Sequence, residues 1–214
     1  LAASGYVVLA INYRGSAGRG NAWQKSIHRD WGNLEVADLL GAVDEAVRQG
    51  IADPDRLGIG GWSYGGISTN YTIASDTRFK AAVSGAASSL QFSIYGIDQY
   101  IVQYDQEMGQ PWKNPDAWMK VSYPFFHADR IKTPILLIHG AADENPGTFP
   151  LQSERFYAAL KGNGATVRYV APRATRTGIN TSAVERMNAE LGVAMDPPEL
   201  VAKAVCDMLV GGTV

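Results

Sequence analysis

The sequence predicts an α/β fold, a mainly parallel sheet flanked by helices. Three observations predict it. Short runs that are apolar at consecutive positions suit strands covered on both faces. Segments with apolar residues at helical spacing lie between them, and that alternation implies right-handed crossovers. The 214 residues suffice for one sizeable domain, with or without an appendage.

The first run, Gly5-Tyr6-Val7-Val8-Leu9-Ala10-Ile11-Asn12, is expected as a strand ending in the Gly-rich turn Arg14–Gly20. Leu1 opens almost directly onto it, so the chain reads as a fragment entered mid-fold, with any N-terminal address missing. A helix follows from Asn33, because Val36, Leu39, Leu40, Val43 and Val47 share one face and the pattern stops near Gly50. Asp53-Pro54-Asp55 is a turn into a second strand, Leu57–Trp62. A helix to about Ser75 and a third strand, Lys80–Ser84, come next. Residues 85–130, rich in aromatics and poor in period, are expected as an insertion over the sheet edge that shapes a cleft. Ile135–His139 is a fourth strand, Pro150–Lys161 a helix and Thr166–Val170 a fifth strand.

Beyond Ala171 the character changes. Arg173–Asn180 has loop composition and Ala183–Leu191 is helical. A last helix is announced by Asp196 as N-cap, Pro197 at the first position and Glu199 three residues after the cap. Cys206, the only cysteine, lies at helical spacing among Val201, Ala204, Val205, Met208 and Leu209, and reads as a small core residue. The expected organisation is therefore a domain over 1–170 and a helical tail over 171–214 packed on it.

Composition narrows the function. With 19 Lys and Arg against 21 Asp and Glu, the net charge of −2 gives no platform for nucleic acid or an anionic membrane. No apolar run approaches the roughly 20 residues of a membrane span. No cofactor or metal is expected, and a cytoplasmic location is.

One motif carries chemistry. Gly61-Trp62-Ser63-Tyr64-Gly65-Gly66 fits Gly-x-Ser-x-Gly, with a strand before it and a helix after it. Reversal from strand to helix within a few residues forces the central serine into a strained conformation. Glycines two before and two after remove Cβ atoms from that turn. Ser63 is thus the candidate nucleophile, and the Tyr64 backbone N–H, at the helix start, the candidate oxyanion donor. Asp143, just past a buried strand in His139-Gly140-Ala141-Ala142-Asp143, is the candidate acid, with Glu144 as its rival.

Taken in order, Asn12-Tyr13-Arg14-Gly15-Ser16, Asp30-Trp31-Gly32, Asp53-Pro54-Asp55-Arg56, the Ser63 motif, Ile131-Lys132-Thr133-Pro134 and the Asp143 segment resemble the catalytic domain of the prolyl oligopeptidase family. The acylaminoacyl-peptidase and glutamyl-peptidase-like branches are the most similar. The resemblance covers roughly residues 1–170 and implies a truncated α/β-hydrolase-like fold. It further implies Ser63 as nucleophile, Asp143 as triad acid, the Tyr64 N–H as one oxyanion donor, and an acyl-enzyme route without cofactor. The implied substrates are small carboxylic esters or peptides.

Three departures stand out. On this resemblance the chain is expected to start after the family's earlier strands, with the loop that supplies a second oxyanion donor, and to lack its β-propeller. Its histidine belongs after Thr166–Val170, where this chain has Ala171-Pro172-Arg173-Ala174-Thr175-Arg176-Thr177-Gly178. Only His28, His127 and His139 exist, and of these His139 is the first choice as substitute base. The segments Pro172–Gly178, Met187-Asn188-Ala189 and Pro197-Pro198-Glu199-Leu200-Val201-Ala202 resemble the carboxyl end of a short-chain dehydrogenase, which suggests a fusion. Neither the dinucleotide fingerprint nor the Tyr-x-x-x-Lys pair accompanies them. Two functions follow from this: a serine hydrolase of small esters or peptides, or a module left inactive by the missing histidine. Cut elements also lead one to expect a homo-oligomer whose partners cover exposed sheet edges.

Overall fold

Four parallel strands hydrogen-bond in the order β1 (Gly58–Trp62), β2 (Ala81–Gly85), β3 (Ile135–Ile138) and β4 (Val167–Val170) in a computed structural model that describes residues 1–172. Their register aligns Ile59, Ala82, Ile135 and Val167 in one row, and Gly61, Ser84, Leu137 and Tyr169 in another. Rows two residues apart share a face. Helices α3 (Tyr64–Ser75) and α7 (Leu151–Gly162) cover that face. Ile73 and Ala74 of α3 and Phe156 and Leu160 of α7 meet Ala82, Ile135 and Leu137 there in one buried cluster. Each fully buried aliphatic or Phe side chain there contributes about 1.5–3 kcal/mol.

α3 is buried at every position from Gly66 to Ala74, as expected of a central helix rather than a surface one. Its outer side receives α2 (Leu34–Arg48), whose Val36 packs with Ile67, Tyr71 and Ala87. α2 carries Glu35 in its first turn and Arg48 in its last, charges that suit the helix dipole. At the turn before β1, the Asp53 side chain accepts from the Asp55 N–H at 2.9 Å.

The segment from Gly5 to Asn12 corrects the sequence expectation: it forms no strand. Val7 and Val8 are 63% and 58% exposed. Strand composition expresses itself only when a ladder satisfies the backbone, and among the described residues none pairs with this run. It is tied down just beyond its end. The Arg14 guanidinium and N–H bind the Asp38 carboxylate of α2, with an Nη2–Oδ1 distance of 2.6 Å. The Tyr13 hydroxyl lies 3.3 Å from Ser68 Oγ of α3. A four-residue helix, α1 (Asn21–Gln24), follows.

Residues 85–130 also differ from expectation. They contain α4 (Ile101–Glu107), α5 (Pro115–Val121) and α6 (Tyr123–Phe126), built on a core of their own. Ile94, Tyr104, Met108, Trp118 and Val121 are buried together. Trp118 takes Tyr95 and Tyr104 edge-on at 5.3 and 5.7 Å and donates its indole N–H to Gly109 O at 2.8 Å. Helices of four to seven residues are too short to show a period. The tail readings, namely the 171–214 segment with its loop, two helices and Cys206, lie outside the described residues save for Ala171 and Pro172.

Candidate active site

Ser63 stands between β1 and α3 with φ 55° and ψ −120°. It is the N-cap of α3, and a positive φ in a residue with a Cβ costs on the order of 1–3 kcal/mol. The conformation is enforced from outside. The Ser63 N–H donates to Gly85 O at 2.9 Å, and Ser63 O accepts from the Ile67 N–H at 3.0 Å. A Cβ on Gly61 would lie 2.7 Å from Gly65 Cα, and one on Gly66 would lie 2.7 Å from Gly85 O. The sequence reading needs correction at Gly65, since a Cβ there meets nothing within 4 Å. The steric demand falls on Gly61 and Gly66. Ser63 itself is exposed, and the Tyr64 N–H follows it at the first position of α3.

Tyr64 points its hydroxyl inward. It donates to Glu35 Oε1 at 2.8 Å, while Glu35 Oε2 accepts from the Gly32 N–H at 3.0 Å. Glu35 is 1% exposed. Burial pushes its carboxyl above the ordinary value, against the hydrogen bonds from Tyr64 and Gly32. Burial and the adjacent Glu35 push the Tyr64 phenol up as well. Tyr13, Gly15, Ser16, Ile27 and Tyr64 line an open cavity of about 240 Å³.

Asp143 lies past β3 and is about a quarter exposed. Burial alone would raise its carboxyl, but His139 and the Asn145 N–H, which donates to Oδ1 at 3.0 Å, hold it below the ordinary value. The His139 ring is 0% exposed. Its Nδ1 lies 2.7 Å from Ser153 Oγ, and its Nε2 lies 3.4 Å from Asp143 Oδ2. That second contact is electrostatic, because Nε2 has no partner in hydrogen-bonding geometry. Glu144, the rival acid, is exposed. His127 stacks on Tyr123 with ring centroids 4.0 Å apart, and its Nδ1 lies 3.0 Å from Tyr123 O. His28 is exposed.

The structure thus brings Asp143 to His139, and both to the edge of the sheet that carries Ser63. Trp62, Gly85 and Ile138 share one register row, so Ser63 and His139 leave the sheet side by side, two strands apart. Two strand spacings put those backbones about 10 Å apart. Among the described residues no hydrogen bond joins Ser63 Oγ to Asp143 or to an imidazole. Glu35 and Ser153 were not read from the sequence. A signal for Glu35 existed, because it sits four residues before Leu39, on the apolar stripe of α2. Among the described residues no group of three or more His, Cys, Asp or Glu side chains is arranged to hold a metal, and no helix is long and apolar enough to cross a membrane.

A parallel sheet with a strained serine between strand and buried helix, and an acid beyond a later strand at the same edge, defines the α/β-hydrolase class. Within it the chain belongs to the prolyl oligopeptidase family, whose model matches residues 1–187. It is 34% identical over 198 residues to YuxL, an uncharacterized peptidase of Bacillus subtilis, covering 88% of this chain and 29% of that one. It is 40% identical over 135 residues to a probable chloroplastic glutamyl endopeptidase of Arabidopsis thaliana, covering 63% of this chain and 13% of the relative. Among solved structures, a puromycin-hydrolyzing peptidase of Mycobacterium tuberculosis superposes with a TM-score of 0.71 at 33% identity, over 87% of this chain and 29% of that one. The acylaminoacyl peptidase of Pyrococcus horikoshii gives 0.68 at 33% identity, over 75% of this chain and 26% of that one. The chain spans less than a third of the length of each of these relatives.

Proposed function

We propose that this chain is a serine hydrolase core that cleaves peptide bonds or small carboxylic esters through an acyl-enzyme on Ser63. The observation that carries the reading is the backbone of Ser63, with φ 55° and ψ −120° at the N-cap of α3, in an exposed residue. Strain of that kind persists only where the surroundings over-determine it, and Gly61, Gly66 and Gly85 O do so here. Family membership supports the same chemistry.

In the proposed step Ser63 Oγ attacks the carbonyl carbon, and its proton passes to a base. The C–O bond forms, and the negative charge moves to the carbonyl oxygen, beside the Tyr64 N–H. Collapse breaks the bond to the amine or alcohol, which leaves with that proton, and water then releases the acid. Asp143 serves as the acid that orients the base where that base keeps its contact with the carboxylate. His139 acts as the substitute base when its Nδ1 gives up Ser153 and takes the proton, while Nε2 stays by Asp143.

The second reading is a hydrolase-fold module with little or no turnover. It is favoured by one observation: the loop after β4, residues 171–178, where the family resemblance expects the histidine, holds none. Loss of a triad histidine costs roughly six orders of magnitude in rate. Incubation with p-nitrophenyl acetate, p-nitrophenyl butyrate and a fluorogenic peptide, each against Ser63→Ala, separates the two. The hydrolase reading expects a rate that Ser63→Ala removes; equal rates assign the chain to the inactive class.

A further inference from the structure

We propose that Glu35 is a positioning residue for the nucleophile elbow, acting through the phenol of Tyr64. The inference rests on the reading of Ser63 as nucleophile and adds a residue to it.

A carboxylate has no packing reason to be where Glu35 is. Its neighbour Val36 joins Ile67, Tyr71 and Ala87 in an apolar cluster, and a leucine at position 35 would extend it without desolvating a charge. Instead the site holds an acid at 1% exposure, and both of its oxygens are used. Oε1 takes the Tyr64 hydroxyl at 2.8 Å and Oε2 takes the Gly32 N–H at 3.0 Å. Directional acceptors are what hydrogen bonds offer and apolar contacts do not.

The partners are telling. Tyr64 is bonded to Ser63, and its own N–H is the proposed oxyanion donor. The residue is therefore held at its far end by Glu35 and at its near end by the elbow. Fixing the phenol resists rotation of the Ser63–Tyr64 peptide, on which the direction of that N–H depends. Gly32 is itself seated against α3. It has φ +84°, and a Cβ there would enter the ring of Tyr71. That close approach sets where the Gly32 N–H lies, and hence where Glu35 can stand. The Asp30–Gly32 loop, α2 and the elbow are thus joined through one buried carboxylate.

Three variants of the full chain test this: Tyr64→Phe, Glu35→Leu and Glu35→Gln. Two quantities are read: amide exchange of the peptide spanning 58–66, and labelling of Ser63 by a fluorophosphonate, resolved into rate constant and half-saturating concentration. Tyr64→Phe and Glu35→Leu are expected to speed exchange in the elbow about tenfold while β3 is unchanged. The same variants are expected to slow labelling about tenfold, with half-saturation within about twofold. Glu35→Gln keeps an acceptor for the phenol and is expected to recover labelling to within about threefold. The Tyr64→Phe/Glu35→Leu double variant should be no worse than Glu35→Leu alone, which has already lost the bond to the phenol. A purely structural role predicts lower stability with normal labelling per folded molecule, and that result overturns the proposal. If Glu35→Leu does not fold, Tyr64→Phe, which removes one oxygen, decides alone. If the wild-type chain is not labelled at Ser63, the nucleophile reading fails. The positioning role then falls with it, whereas a labelled wild type whose variants label normally overturns the positioning role alone.

Discussion

Ser63 and Asp143 leave the same edge of one sheet, yet different forces hold them. The elbow is fixed by exclusion. Gly61 and Gly66 face backbone atoms so closely that no side chain fits, and Ser63 takes a φ of 55° because nothing else closes the turn. The acid loop is fixed by polar contacts. The Asp143 N–H reaches Gly140 O at 3.0 Å, the Asn145 N–H reaches the carboxylate, and His139 stands between Asp143 and Ser153. Sterically fixed turns fail abruptly on substitution. Loops fixed by charge fail gradually and follow pH.

The sharpest contrast lies between two adjacent glycines. Gly66→Val places its Cβ 2.7 Å from Gly85 O and 2.9 Å from Ala87 Cβ. It is expected to cost about 3 kcal/mol or more, or to prevent cooperative folding. Gly65→Ala meets open space, so it should change stability by no more than about 1 kcal/mol in either direction. Urea unfolding of both variants checks the pair; equal losses would mean that the elbow is not held by exclusion.

Next comes the polar side. His139→Leu leaves Ser153 Oγ without its imidazole and Asp143 Oδ2 without the ring nitrogen 3.4 Å away. A loss of about 2–3 kcal/mol is expected in the same assay. Smaller and of opposite sign is Ser63→Gly, which relieves the positive φ. It should be about 1 kcal/mol more stable than Ser63→Ala by thermal unfolding.

The smallest effects are those of pH, and here the two regions diverge in direction. Asp143 is lowered from 3.8, so its stabilisation is present above that value and fades as acid passes below it. Glu35, beside the elbow, is raised from 4.5, so its contribution is complete below that value and is lost as pH rises through the raised one. Melting temperatures from pH 3 to 8 should show a shallower acid limb for Asp143→Asn. Glu35→Gln should cost most in acid and least at neutrality.

How much of this was legible in the sequence depended on how local each cause was. β1, β2, β3 and β4 match the expected strands to within a residue or so at each end, as do α2, α3 and α7. Their apolar runs and periods are long enough to read. The elbow was readable because Gly61, Ser63 and Gly65 fall within five residues, although the second steric demand lies at Gly66. Glu35 was not, because its partner Tyr64 is 29 positions away. Ser153, 14 residues from His139, was missed for the same reason. The aromatic core around Trp118 joins helices too short to carry a pattern.

The segment from Gly5 to Asn12 marks the boundary most clearly. Like β3 it is a run of consecutive apolar residues with a β-branched bias. The sequence by itself determined the parallel α/β order and placed a serine in a strand-to-helix turn, because both follow from local sterics and periodicity. Only the tertiary structure decided which apolar runs become strands, which carboxyl is raised and which lowered, and where the histidines stand. Backbone pairing, desolvation and side-chain reach are properties of neighbours in space, and the chain order does not list them.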